Sequence, residues 1–108
     1  MKSKLHNVHP GEILLIEFLQ PLNVSQNKLA KSVGVSPRRI NEICLNKRSL
    51  SIDTALRLGK YFNTEASFWL NLQNMYDMEE EMLSKQSIYN TIKPYQNSID
   101  TSHNKRAS

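Results

Sequence analysis

Two adjacent arginines begin a predicted helix in the segment VSPRRINEICLNKRS, residues 35–49. Ser36 is a favoured N-cap residue and Pro37 suits the first helical position, which places Arg38 and Arg39 in the first turn. A helix N-terminus favours anions, so positive side chains there cost the free chain up to about 1 kcal/mol. Either the turn is solvated and tolerates this cost, or an anionic ligand binds at the helix tip.

The positive charge of the chain is concentrated around these arginines. The whole chain carries +4. Residues 26–60 contain eight basic and two acidic side chains, a net +6, which leaves −2 for the rest. The basic residues are Lys28, Lys31, Arg38, Arg39, Lys47, Arg48, Arg57 and Lys60. Interfacial membrane helices carry aromatic residues opposite their charges, and this segment has none, so the block indicates a nucleic-acid ligand.

Composition argues against several other classes of protein. No uncharged apolar run reaches the roughly 18 residues of a membrane span, and the start MKSKLHNVHPGE lacks the apolar stretch of a signal peptide. The single cysteine, Cys44, excludes an internal disulfide and predicts a reducing compartment, the cytoplasm. His6, His9 and His103 fit no metal-ligand spacing. With no glycine-rich phosphate loop or nucleophile elbow, we expect no enzymatic activity, metal or cofactor.

Five predicted helices must position the arginines. They cover about residues 10–20, 26–33, 37–45, 52–62 and 65–85. Pro21 predicts the end of the first helix, because the residue before a proline avoids helical geometry. The predicted N-caps are Ser25, Ser36, Ser51 and Thr64, and the predicted left-handed exits are Gly34, Asn46 and Asn63.

Steric demands between the second and third helices are specific. Ala30 must be small because the third helix crosses there, and Gly34 supplies the left-handed residue of a sharp turn. The positions predicted to face the core of this unit are Leu29, Val33, Val35, Ile40 and Ile43. So many separate demands met within eighteen residues predict a helix-turn-helix.

The unit SQNKLAKSVGVSPRRINEI resembles the helix-turn-helix of lambda-repressor-like regulators. Over residues 9–73 the chain resembles HigA-type antitoxins, also called virulence-associated protein I, most specifically in HPGEIL, TALRL and FWLNLQ. The resemblance implies an all-α fold, a five-helix bundle, and a sequence-specific transcriptional regulator that represses its own promoter. One departure is Leu45, where this branch usually has an asparagine, which puts the phosphate contact expected there in doubt.

In this fold the N-terminal part of the third helix enters the major groove of DNA. Arg38 could contact guanine and Asn41 adenine, while Glu42 could accept from cytosine or orient Arg38. Arg39, Lys47 and Arg48 are expected to contact phosphates. The predicted DNA-binding residues are Gln26, Asn27, Ser36, Arg38, Arg39, Asn41, Glu42, Lys47 and Arg48.

The chain divides into a flexible segment at residues 1–9, the helix-turn-helix domain at 10–85, and a polar tail at 86–108. A short strand at 87–92 is compatible with the tail, and disorder is expected in its last dozen residues. The predicted core includes Leu14, Phe18, Leu29, Ile40 and Leu56. The apolar residues of helix five, which lie on more than one face, are Phe68, Trp69, Leu72, Met75, Tyr76, Met78 and Met82.

The expected partners follow from these features. Surplus apolar surface on helix five predicts a homodimer, which would read a palindromic DNA duplex. The family resemblance implies a second protein partner, a small basic ribonuclease toxin of the HigB type. Acidic residues 77–81 and the N-terminal segment are both open as its contact surface. A stand-alone regulator without a toxin would have the same sequence features.

Overall fold

A computed structural model describes residues 7–96, and all regular structure in that range is helical. Helix α1 covers residues 10–22 as three continuous parts, Pro10–Ile13, the π-helical turn Leu14–Leu19, and Gln20–Leu22. The other helices are α2 Gln26–Val33, α3 Pro37–Cys44, α4 Ile52–Phe62, α5 Ala66–Ser84 and α6 Gln86–Tyr89. The all-α prediction is therefore confirmed. The strand predicted at 87–92 is wrong, because residues there form α6 and a following turn.

The prediction that Pro21 ends the first helix is also wrong. The helix continues to Leu22, and Asn23 makes the left-handed exit with φ 57°. Gln20, the residue before the proline, is helical, and its N–H bonds five residues back to Leu15 O. In a regular α-helix a proline ring clashes with the carbonyl four residues earlier. The wider π-helical turn relieves that clash.

Local chemistry sets the boundaries of the helix-turn-helix as predicted. Ser25 Oγ accepts from Lys28 N at 3.0 Å, and Ser36 Oγ accepts from Arg39 N at 3.1 Å. Gly34 exits α2 with φ 78°. The cap predicted at Thr64 is wrong. Glu65 is the N-cap residue of α5, and Thr64 Oγ1 instead accepts from Trp69 Nε1 at 2.9 Å.

The hydrophobic core lies where α1 to α5 meet. Leu56, which was predicted to be in it, is 54% exposed. It lies about 100° around α4 from the buried Ala55, so its side chain points away from the core. The buried apolar residues are Leu14, Leu19, Leu29, Ala30, Ile40, Ile43, Leu50, Ala55, Leu58 and Trp69.

The start of α1 packs against α3 and α5. A Cβ added to Gly11 would lie 1.8 Å from Ile43 O, so only glycine fits this approach. His9 is 3% exposed, and its Nδ1 accepts from Gly11 N at 2.9 Å. Asn7 Nδ2 donates to Tyr76 O at 3.0 Å. The predicted flexible segment therefore needs correction at its end, since Asn7 and His9 belong to the folded domain. Residues 1–6 and 97–108, including the predicted disordered end, lie outside the described residues.

Helix α5 buries side chains in its first half, and beyond Tyr76 its side chains are exposed. Trp69 and Gln73 are buried, whereas residues 77–84 are all exposed. Helix α6 follows without buried residues. Within residues 7–96, no helix combines the length and apolar character needed to cross a membrane.

Candidate nucleic-acid interface

The tip of α3 displays Arg38 to solvent. Its side chain is 83% exposed, and its Nε donates to Glu42 Oε2 at 2.8 Å. Arg48, beyond the other end of α3, contacts Glu42 Oε1 at 3.1 Å. The hydrogen bond with Arg38 is the main reason that the pKa of Glu42 lies below its ordinary value. Glu42 thus holds one arginine on each oxygen, a geometry that favours its orienting role over a contact with cytosine.

The first residue of α2 is bonded to the middle of α3. Asn41 Nδ2 donates to Gln26 Oε1, and both side chains are partly buried. Each amide still has N–H donors and oxygen lone pairs for a ligand. The pair therefore offers a donor and an acceptor together beside Arg38. Asn27, which follows Gln26 on α2, and Ser36, the N-cap residue of α3, are both exposed.

Arg39 occupies a different environment from its neighbour. Its side chain is 29% exposed, and its Nη1 donates to Asp53 Oδ2 at 2.8 Å and to Thr54 Oγ1 at 3.3 Å. These contacts lie on α4, away from Glu42. The structure therefore directs Arg39 to α4, whereas Arg38 bonds to Glu42 within α3.

A Schellman motif ends α3 and places Lys47. Asn46 takes the left-handed position with φ 63°, as predicted. Asn46 N donates to Ile43 O, and Lys47 N donates to Glu42 O at 2.8 Å. Lys47 and Arg48 are exposed directly after this turn. Leu45, at the position that departs from the family pattern, is exposed as well.

Arg57 was counted in the basic block but was given no role. Its Nε contacts Asp53 Oδ2 at 2.9 Å, and its Nη1 donates to Val33 O at 2.7 Å. The four-residue spacing of Asp53 and Arg57 could have indicated the ion pair. No sequence signal indicated the bond to α2.

Cys44 is partly buried, and desolvation raises its pKa to about 11, which opposes thiolate chemistry.

Comparisons with known proteins agree with this geometry. Residues 15–69 match the helix-turn-helix family. Virulence-associated protein I of Dichelobacter nodosus is 48% identical over 87 residues, covering 81% of each chain. Antitoxin HigA-1 of Vibrio cholerae is 29% identical over 101 residues, covering 94% of this chain and 95% of the relative.

A solved structure of Pseudomonas aeruginosa antitoxin HigA with the higBA promoter has the same fold, with a TM-score of 0.81. It is 39% identical, and the match covers 84% of this chain and 100% of that one. The resemblance found in the sequence is thereby confirmed. The chain belongs to the helix-turn-helix family, in the branch of the HigA-type antitoxins and virulence-associated protein I.

Proposed function

We propose that this protein is a sequence-specific DNA-binding repressor, the antitoxin of a type II toxin-antitoxin pair. One observation carries the proposal: Arg38, in the first turn of α3, is exposed, and Asn41, three residues along the same helix, is bonded to Gln26 of α2. Guanidinium and amide groups are those that read guanine and adenine in the major groove. The P. aeruginosa HigA structure, solved with its promoter, supports this role for the shared fold. The function is binding rather than catalysis, and its DNA ligand implies the cytoplasm.

Selection from random duplexes tests DNA recognition directly. The protein should enrich a palindrome, and the specific complex should weaken steeply as salt rises, since several phosphate contacts release counterions. The control is the double variant Arg38→Ala, Asn41→Ala, which should lose the enrichment. Equal binding of selected and random duplexes by the unaltered protein would contradict the proposal.

A homodimer is the form that would read such a palindrome. Half-sites lie about one helical turn, roughly 34 Å, apart, so two copies must present their α3 tips on one face of DNA. Helix α5 offers a surface for pairing. Its exposed apolar stripe consists of Phe68, Met75, Met78 and Met82, which share one side of the helix. A self-complementary patch of this kind favours two-fold pairing.

Sedimentation at micromolar concentration tests the dimer. The chain should sediment as a dimer, and Met78→Glu should shift it to monomer by placing a charge in the apolar contact. Ser84→Glu, an exposed position on the side of α5 opposite the stripe, is the matched control and should remain dimeric. Truncation after Ser84 should keep the dimer, because the stripe precedes α6. A monomer in the unaltered protein would contradict this part of the proposal.

The proposed protein partner is a small basic ribonuclease toxin, by analogy with the antitoxins of this branch. The two contact surfaces left open by the sequence adjoin each other, because Asn7 Nδ2 donates to Glu80 Oε2 at 3.1 Å. A basic partner could therefore bind both. Co-expression with the neighbouring gene product should rescue growth and yield a co-purifying complex. Failure to bind that product would favour the alternative, a stand-alone regulator without a toxin.

A further inference from the structure

The two acids of the basic block each hold two arginines, but they do so in different places. Glu42 binds Arg38 and Arg48 at the outer face of α3. Asp53 binds Arg39 and Arg57 between α3 and α4. We call the second group, Arg39, Asp53 and Arg57, the Asp53 cluster. Because the Asp53 cluster lies between helices, it can fix one helix against another, which the Glu42 pairs do not do.

The Asp53 cluster joins the reading helix to α4. A single oxygen, Asp53 Oδ2, accepts from Arg39 Nη1 at 2.8 Å and from Arg57 Nε at 2.9 Å. Arg39 also donates to Thr54 Oγ1, a side chain that is almost completely buried. Asp53 lies in the first turn of α4, where a helix favours a carboxylate. Arg39 is therefore anchored at two points on a fixed element.

Arg57 extends the cluster to the turn before α3. Its Nη1 donates to Val33 O at 2.7 Å and to Gly34 O at 3.3 Å. Helix C-termini leave carbonyls unpaired and favour a cation, so Arg57 suits this end of α2. The turn itself is tight, since a Cβ on Gly34 would lie 3.1 Å from Arg57 Nη1. Three helices of the DNA-binding unit are thus linked, α3 to α4 through Asp53 and α4 to the end of α2 through Arg57.

We propose that Asp53 is a positioning residue for base readout: it fixes α3 against α2 and α4, and it keeps Arg39 away from DNA phosphates. The inference rests on the proposed DNA-binding function. It also replaces the phosphate contact expected of Arg39. An arginine released beside the reading helix would add a phosphate contact that every sequence provides, and phosphate contacts carry no sequence information. Asp53 therefore raises specificity in two ways. It fixes the position of α3, and it keeps the positive charge of Arg39 from contacting phosphates.

The test compares selected and random duplexes across salt concentrations for Asp53→Asn. The ratio of the two affinities should fall at least about fivefold, the low end for one lost base contact. The slope of log affinity against log salt should steepen by about 0.9 per bound protomer, as expected for one added phosphate contact. If Asp53→Asn displaced α3 without releasing Arg39, the affinity ratio would fall but the salt slope would not become steeper.

Glu81→Gln is the matched control. Glu81 pairs with Lys85 at an i,i+4 spacing, and its side chain is 52% exposed against 54% for Asp53. The substitution removes the same charge far from α3, so it accounts for the change in net charge. Arg39→Gln should lower the ratio with an unchanged slope, and the double variant with Asp53→Asn should lose the steepening.

Two results would overturn the inference while leaving the proposed function intact. One is an Asp53→Asn protein that behaves as Glu81→Gln does. The other is an Arg39→Gln slope that becomes shallower by about 0.9 per protomer, since Arg39 would then be a phosphate ligand already. An unaltered protein that prefers no duplex would overturn the proposed function and this inference together.

Discussion

The helix-turn-helix and the far half of α5 both carry exposed side chains with a proposed role, yet they differ in how those side chains are held. On α3, Arg38 is bonded to Glu42, and Asn41 is bonded to Gln26 of α2. On α5, Met75 is 68% exposed and Met78 is 63% exposed. The groups that we propose to face DNA are thus oriented within a single copy of the chain. The methionine stripe offers apolar area that only a second surface can cover.

This difference separates two kinds of binding surface. The polar groups that we propose to read bases need a fixed direction, and bonds within the chain supply it in the free protein. An apolar stripe needs area rather than direction, and methionine adapts to the shape of its partner. Substitutions at the two surfaces should therefore change different quantities, which the following predictions use.

The largest expected effect is on the free energy of unfolding, and it should differ between the buried and the exposed face of α5. Trp69 is completely buried, and its ring lies 4.8 Å from that of Phe18. Trp69→Ala should lower the free energy of unfolding by roughly 3–5 kcal/mol. Met75→Ala, on the exposed stripe, should change it by no more than about 0.5 kcal/mol in dilute protein. Urea unfolding measures both. Similar losses would show that the stripe is part of the folded core.

The next effect concerns base readout. Arg38→Ala should cost about 1–3 kcal/mol of binding free energy at one base pair of each half-site, because a bidentate contact is lost there. Titration against duplexes altered one position at a time identifies that base pair. If selected and random duplexes lose affinity equally, Arg38 does not read a base.

A smaller and more uniform effect is expected at Lys47, which follows the Schellman turn. Lys47→Ala should weaken all duplexes alike and make the salt slope shallower by about 0.9 per protomer, because only a phosphate contact is removed. Filter binding at several salt concentrations checks the slope. A loss confined to the selected palindrome would instead give Lys47 a part in sequence recognition.

Much of the fold could be predicted because its signals are local. Ser25, Ser36 and Gly34 act on backbone groups within a few residues, so sequence spacing is enough to locate them. The family resemblance supplied the candidate residues of the DNA face. The orientation of that face was predicted from the rule that the N-terminal end of α3 enters the major groove of DNA.

Contacts that depend on helix packing, and irregular local geometry, could not be predicted from the sequence. Arg39 and Arg57 have partners 14 and 24 residues away, and those contacts depend on how the helices pack. Thr64 resembles a cap, but buried Trp69 uses its hydroxyl. Pro21 was assigned to a helix end because nothing in the sequence revealed the π-helical turn before it.

The last prediction concerns His9, which lies where the N-terminal segment meets α5. Its Nδ1 accepts from Gly11 N and its ring contacts Tyr76 edge-on, with centroids 4.8 Å apart. Nδ1 can accept only when it carries no proton. Burial lowers the pKa of His9 below the ordinary 6.5, and the nearby Asp77 and Glu12 oppose that shift without cancelling it.

A lowered histidine pKa means that the unfolded chain binds a proton more readily than the folded one. The stabilisation is therefore complete above about pH 6.5 and is lost as pH falls through the folded pKa. Glu42, Asp53 and Glu81 titrate lower, since their pKa values lie below ordinary values of 4.5, 3.8 and 4.5. The window between about pH 5 and 7 should thus report histidine titration.

The measurement is the free energy of unfolding at about pH 7.5 and 5.5 for the unaltered chain and for His9→Asn. Asparagine can still cap α1 but does not titrate, so the variant should be less stable at the higher pH and depend less on pH. The other histidines, His6 and His103, are present in both proteins, and their effect cancels in the difference. An equal pH dependence in the two proteins would mean that His9 accepts a proton in the folded state as easily as in the unfolded one. The bond from Gly11 N to His9 Nδ1 would then make no pH-dependent contribution to stability.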